Sequence, residues 1–254
     1  MNKQLDVFFF GSGRLAQNLA NAIAGSSVKL CGVYSKTISH AKSFSEKFGV
    51  PCFENLQSIP TNCSVYFLAV PDSEIEKISS QLITDGLVVH SSGFMPMSQI
   101  INQRKAVFWP IQTLSTNSYE SLHHVPIAIE AALKPDEELL QQLALMINCT
   151  PHILDGEQRK KLHLAAVLVN NFTNHLYAVA KDFLTKNNLD FNLLLPLIQE
   201  TVTKIKSFEP ALVQTGPAAR KDLKTIEEHQ KLLEQDPEVL AIYKVLTQSI
   251  IHHK

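Results

Sequence analysis

The chain has 254 residues, 45% apolar and 19% charged, which is the balance of a folding polypeptide with enough apolar surface to build cores. That length exceeds what one compact core usually supports, so two domains are expected. With 23 basic against 24 acidic residues, a formal net charge of −1 and no strongly basic stretch, the chain lacks the clustered Lys and Arg that nucleic-acid binding requires.

In chain order, short β-rich runs at 5–10, 28–34, 65–70, 87–90, 106–109, 127–129 and 151–154 alternate with helical segments, the pattern of a mostly parallel sheet with helices on its faces. The runs at 7–10 and 65–69 are apolar at successive positions, as central strands covered on both faces are. After Asp155-Gly156 the short β-rich runs stop and long helical segments follow at 157–185, 191–208, 218–234 and 237–252. The fold class expected is therefore α/β: a Rossmann-type mostly parallel sheet followed by an all-α C-terminal domain, with domains at 1–154 and 155–254. Pro196 is expected to kink the second long helix, and Asp236-Pro237 reads as the N-cap and first turn of the last.

The first strand runs directly into Gly11-Ser12-Gly13-Arg14-Leu15-Ala16, a G-x-G-x-x-A motif in strand, turn, helix context. Gly11 permits the tight turn, Gly13 lets the backbone approach a pyrophosphate, and Ala16 lets helix and strand pack closely, while the unpaired N–H groups of the helix start face the anion. The second strand ends in Val33-Tyr34 followed by Ser35-Lys36-Thr37, without the Asp or Glu that would hydrogen-bond the ribose 2′-OH of NAD. A hydroxyl and a cation suit a 2′-phosphate, so NADP is the expected cofactor, with Ser35 and Lys36 at the phosphate. Arg14 either reaches the phosphates or lies along the surface. Two further strand ends, Ala69-Val70-Pro71-Asp72 and His90-Ser91-Ser92-Gly93, fall where open α/β sheets bind ligands. Val70 and Pro71 are expected to wall the nicotinamide ribose, and Ser91, Ser92 and Gly93 to offer hydroxyl and N–H donors to a substrate, a plain strand-ending turn being the alternative.

The stretches GSGRLA at 11–16, HSSG at 90–93, WPIQTL at 109–114, EQRKKLHLAAVLVNNFTNHL at 157–176 and TGPAARKD at 215–222 together give a resemblance over almost the whole chain. It is to the NADP oxidoreductases with a Rossmann-like domain followed by a helical domain of unknown function, within the 6-phosphogluconate-dehydrogenase-like superfamily. The chain departs from the family at Trp109, where many members resemble H-P-x-Q-T, so a role for a histidine there is not carried over. The resemblance implies a reductase whose helical domain pairs two subunits and lends residues to the cleft. It implies a small carbonyl or imine acid as substrate, with 2-dehydropantoate first and pyrroline-5-carboxylate second, because similar enzymes include alternative ketopantoate reductases and pyrroline-5-carboxylate reductases. A non-catalytic NADP-binding sensor is the reading from another class.

Within the helical domain, His163, Asn170 and Asn174 fall within roughly 40° of one another at about 100° per residue, and Lys160 precedes His163 by about one turn. These four are the expected catalytic residues. Imidazole exchanges protons near neutrality, which suits His163 to the acid role, with His229 behind it; in related dehydrogenases a lysine followed by an amide residue on the equivalent helix donates the proton, which Lys160 with His163 or Asn170 resembles, and hydrogen-bonded packing is the alternative role. Arg220 is the expected clamp on a substrate carboxylate, since a guanidinium grips both oxygens, and Gln112 joins it as a substrate contact. The apolar run at 162–169 is too continuous for a half-exposed helix and points to a homodimer.

No apolar stretch approaches the roughly 20 residues of a membrane helix, and the run at 7–10 is too short for a signal-peptide core, so a cytoplasmic protein is expected. No metal site is expected: Cys31, Cys52, Cys63 and Cys149 form no CxxC pair and read as small core residues, and the pairs His123-His124 and His252-His253 lack an H-x-x-x-H face.

Overall fold

The computed structural model describes residues 4–114 and 122–252 of the chain. His253, part of the second histidine pair, lies outside them. The chain folds into two compact units, Met1–Leu168 and Val169–Lys254.

The first unit carries strands β1 (Asp6–Phe10), β2 (Lys29–Tyr34), β3 (Cys52–Phe53), β4 (Val65–Leu68), β5 (Leu87–His90), β6 (Lys105–Pro110), β7 (Pro126–Ala131) and β8 (Thr150–Ile153). Helices α1 (Arg14–Ala24), α2 (Ile38–Phe48), α3 (Ile75–Ser79) and α4 (Lys134–Met146) connect them, and α5 (Gly156–Ala166) follows β8. All eight strands form one sheet in the order β3-β2-β1-β4-β5-β6-β7-β8, parallel throughout except where β7 meets β6. The six-strand order 3-2-1-4-5-6 is the doubly wound Rossmann arrangement. Alternation along β1 explains the layering. Val7 and Phe9 join the core beneath α1, α2 and α4, while Phe8 and Phe10 join a second core with Tyr66, Leu68 and Ile75 on the opposite face.

Strand β3 escapes the sequence reading because it is only two residues long, too short for a period-2 pattern to register. The expected helix from 157 to 185 is interrupted. After α5 the residues Val167–Phe172 form a π turn before α6 (Thr173–Lys186) resumes α geometry.

The second unit continues with α7 (Leu195–Ile205), α8 (Pro217–Arg220), α9 (Leu223–Leu232) and α10 (Pro237–His252). Pro196 does not kink α7. It sits in the first turn, where its missing N–H has no partner to lose, after a short 3₁₀ turn at Phe191–Leu194 capped by the Asp190 carboxylate. The expected helix 218–234 is two helices, because Lys221 takes a left-handed φ of 55° and Asp222 starts α9 by accepting from the Thr225 amide at 3.1 Å. Asp236 accepts from the Leu240 amide through its carbonyl, while its carboxylate pairs with Lys186. Among the described residues no helix is long and apolar enough to cross a membrane.

Candidate active site

The strand order reverses at β1, flanked by β2 on one side and β4 on the other, and at such a reversal the connections leave in opposite directions and open a crevice at the carboxyl ends of the strands. A cavity of about 560 Å³ lies there. Seven of the ten residues assigned to the cofactor from sequence line it: Gly11, Ser12, Gly13, Ser35, Lys36, Val70 and Pro71. Gly11 is required by the protein itself. Its φ is +94°, and a Cβ there would stand 2.1 Å from the Ala69 carbonyl oxygen. At Gly13 a Cβ would meet no other protein atom within 4 Å, so the bare backbone leaves room for a ligand rather than for packing. Gly13 also provides the N-cap of α1 without a side-chain bond, which leaves the first N–H groups of an eleven-residue helix available to a phosphate.

The other three cofactor assignments act differently. Ala16 is fully buried and Leu15 packs against the same core, so their side chains set the helix on the sheet. Arg14 is exposed and donates to the Leu114 carbonyl at 3.5 Å, the surface position that the sequence left as an alternative. Tyr34, His40 and Lys77 also line the cavity and were missed. For His40 a signal existed: it opens the helix that follows Ser35-Lys36-Thr37, within reach of the same ligand end.

A second cluster forms where β5 ends. Ser92 donates its hydroxyl to Asp72 Oδ2 at 3.0 Å and accepts from the amides of Phe94 and Met95, so it organises the turn and ties it to the Val70-Pro71 wall. Ser91 Oγ is buried without a hydrogen-bond partner among the described residues, which makes it the hydroxyl with capacity to spare. His90 is fully buried. Its Nδ1 accepts from the Ser92 amide at 3.2 Å, and burial first, then the charge of Arg159, pushes its pKa down to about 4. It is therefore a neutral ring with its proton assigned to Nε2, which is buried without a hydrogen-bond partner among the described residues.

Arg159, unremarked in the sequence, is the largest fully buried side chain among the described residues. Its Nη2 and Nε meet Glu130 Oε2 at 2.9 and 3.3 Å, and Nη1 donates to the Ser92 carbonyl at 3.0 Å. A buried guanidinium left unpaired costs several kcal/mol, so these partners set where α5 sits on β7 and on the turn after β5. One helical turn later, on the same side, stands His163. Its ring packs against Trp109 at 5.6 Å and Phe94 at 6.1 Å, and a Cβ on Gly93 would lie 2.4 Å from its Cδ2. Gly93 thus serves close approach, and His163 is brought to the H-S-S-G turn by the Arg159 anchor. The signal for Arg159 was its i, i+4 spacing from His163, hidden in a run of charged residues that reads as a solvated face.

Of the remaining expected residues, Lys160 and Gln112 belong to the first unit, and Asn170, Asn174, Arg220 and His229 to the second. Lys160 is turned from the Arg159–His163 face and pairs with Glu157 at 2.9 Å. Asn170 lies in the π turn and Asn174 in α6, both exposed, and the i→i+5 bonding of the π turn breaks the uniform 100° phase on which their alignment with His163 rested. Gln112 is exposed and its amide oxygen accepts from the Thr113 N–H. Arg220 is exposed at the end of α8, near the Asp222 carboxylate whose pKa is lowered by Thr225 and, to a lesser degree, by the arginine. His229 Nδ1 is 2.9 Å from the Tyr243 hydroxyl.

Comparison with known proteins follows the same division. Residues 5–109 match an oxidoreductase family with an NAD-binding Rossmann fold, and residues 125–250 match a domain of unknown function, DUF2520. A crystal structure from Bacteroides fragilis, of a protein designated an NADP oxidoreductase, is 33% identical over 98% of this chain and 99% of its own, with a TM-score of 0.88. A reductive aminase from Aspergillus terreus, in complex with NADPH and ethyl-5-oxohexanoate, covers 98% of this chain and 94% of its own at 12% identity and a TM-score of 0.72. A pyrroline-5-carboxylate reductase from Coxiella burnetii covers 98% and 99% at 13% identity and 0.60. At these identities the last two share the fold alone. A comparison with curated proteins gives no match.

Proposed function

This chain belongs to the family of NADP oxidoreductases in which a Rossmann domain precedes a helical domain of unknown function, and from that membership we propose that it uses NADPH to reduce a small carboxylate-bearing carbonyl or imine compound. The observation that carries the proposal is the hydrogen bond from Ser92 to Asp72, which joins the cofactor cavity's Val70-Pro71 wall to the turn holding Ser91 and Gly93, against which His163 packs. NADPH supplies the hydride when bound. His163 is the proton donor to the developing alkoxide or amine, and the Ser91 hydroxyl orients the acceptor. The histidine common at position 109 in similar proteins is a tryptophan here, and the His163 imidazole lies against that ring. Arg220 clamps the substrate carboxylate, with Gln112, Lys160, Asn170 and Asn174 as the further polar contacts. In this reading residues 1–154 hold the cofactor and residues 155–254 form the dimerisation and substrate domain of a cytoplasmic homodimer.

The pairing rests on exposure. Leu164, Leu168, Val169 and Phe172 are each more than half exposed, and in the second unit only Ala218, Ile226 and Leu233 are buried apolar residues among those described. Helices that apolar need a cover, and a second copy presenting the same face supplies a matching one.

The test is NADPH oxidation over a panel of 2-oxo acids, 3-oxo acids and cyclic imines that includes 2-dehydropantoate and pyrroline-5-carboxylate. Turnover is expected with a member of the panel. His163→Ala should lower kcat roughly 100-fold with NADPH affinity unchanged, and Arg220→Lys should raise KM. Tight NADPH binding without turnover of any member would favour the sensor reading instead.

A further inference from the structure

A second polar cluster lies towards the amino ends of β1, β2 and β4, away from the cofactor cavity at their carboxyl ends. Asp6 opens β1, Cys31 lies in β2 and Cys63 stands two residues before β4, and β2 and β4 flank β1 on either side. One carboxylate oxygen and the two Sγ atoms all lie within 4.8 Å of one another. Cys31 reaches this point through an irregularity: Val7 pairs with Leu30 and Phe8 with Gly32, so Cys31 is the extra residue of a β-bulge, a device that re-aims a side chain. Its thiol is 3.4 Å from Asp6 Oδ2, while Ser64 holds Oδ1 through its amide at 2.7 Å and its hydroxyl. The carboxylate is thus fixed by one oxygen and presents the other to sulfur.

We propose that Asp6, Cys31 and Cys63 form a site for one thiophilic divalent cation, Zn²⁺ by its donor set, with two thiolates and a carboxylate oxygen as ligands and water in the fourth position. Zinc takes sulfur at about 2.3 Å and carboxylate oxygen at about 2.0–2.2 Å, which sets neighbouring ligand atoms in a tetrahedron roughly 3.3–3.8 Å apart. The three donors need to contract by about an ångström, not to be reassembled. A disulfide fits less well, because backbones two strands apart are separated by roughly 9.5 Å, beyond the ~7 Å Cα separation a disulfide spans.

Binding as the dithiolate displaces one proton from each thiol to solvent, with no change of oxidation state, and leaves the site with a net charge of −1. Cys63 and Ser64 also stand on the wall of a cavity of about 490 Å³, with Thr61, Asn62 and Asp85. The site ties the amino ends of three central strands and has no part in hydride transfer. The donors escaped the sequence because they come from β1, β2 and the loop before β4, at spacings of 25 and 32 residues that no short motif encodes.

The test is titration of the purified full-length chain with Co²⁺ alone, then Zn²⁺ in competition. One Co²⁺ per chain is expected, with the near-ultraviolet thiolate charge-transfer band and intense visible bands of a tetrahedral site, both abolished by Zn²⁺. Cys31→Ser and Asp6→Asn should each weaken binding at least about tenfold while NADPH affinity stays unchanged, which separates this outcome from failure of the reductase reading. Absence of the charge-transfer band, or a band unchanged in Cys31→Ser, would overturn the site.

Discussion

At the scale of single residues, two glycines separated by a single serine do different work. Gly11 is held by the backbone, since any side chain would strike the Ala69 carbonyl and strain a left-handed φ, whereas Gly13 faces open space. Gly11→Ala should lower both the melting temperature and NADPH affinity; Gly13→Ala should melt as the parent does and lose NADPH affinity alone, as calorimetry and thermal denaturation will read. His90 gives a pH signature. Its pKa falls from 6.5 to about 4 on folding, so the unfolded chain binds the extra proton between those values, and the stability contributed, on the order of 3 kcal/mol, is present above pH 6.5 and lost as pH falls towards 4. Urea denaturation at pH 7 and pH 5 should show this loss in the parent and a smaller one in His90→Gln; equal losses would contradict the assignment. The glycine roles were legible because they follow from a local motif. Arg159, His90 and Glu130 were not, because their meaning lies in partners brought together from β5, β7 and α5, which no local spacing reports.

At the scale of elements, what was legible was what repeats. Seven of the eight strands were placed by their apolar β-branched and aromatic runs, and their alternation with helices gave the mostly parallel sheet. Helix α5 begins where Asp155-Gly156 marked it, with a reciprocal capping box between Asp155 and Gln158 at 2.8 and 3.0 Å. What failed was continuity. The run 157–185 has a helical pattern throughout, and nothing in Val167–Phe172 announces the π turn, which adds a residue to the turn without changing which residues are apolar. That hidden residue breaks the uniform 100° phase on which the expected alignment of His163 with Asn170 and Asn174 rested.

At the scale of the whole molecule, the account requires a partner copy and a cofactor preference. The apolar exposure of Leu164, Leu168, Val169 and Phe172 predicts that light scattering at micromolar concentration returns twice the 28.3 kDa of the chain; the mass of one chain would exclude a stable dimer. The central claim is that the crevice beside β1 is an NADP site whose 2′-phosphate end is formed by Ser35 and Lys36, with no carboxylate at the end of β2 to hold a free ribose. Titration calorimetry of NADPH against NADH, on the parent and on Lys36→Ala, tests it most directly. The account predicts that the parent binds NADPH at least about tenfold more tightly than NADH and that Lys36→Ala removes most of that preference by weakening NADPH alone. Equal affinities in the parent, or a preference that survives the substitution unchanged, would contradict it.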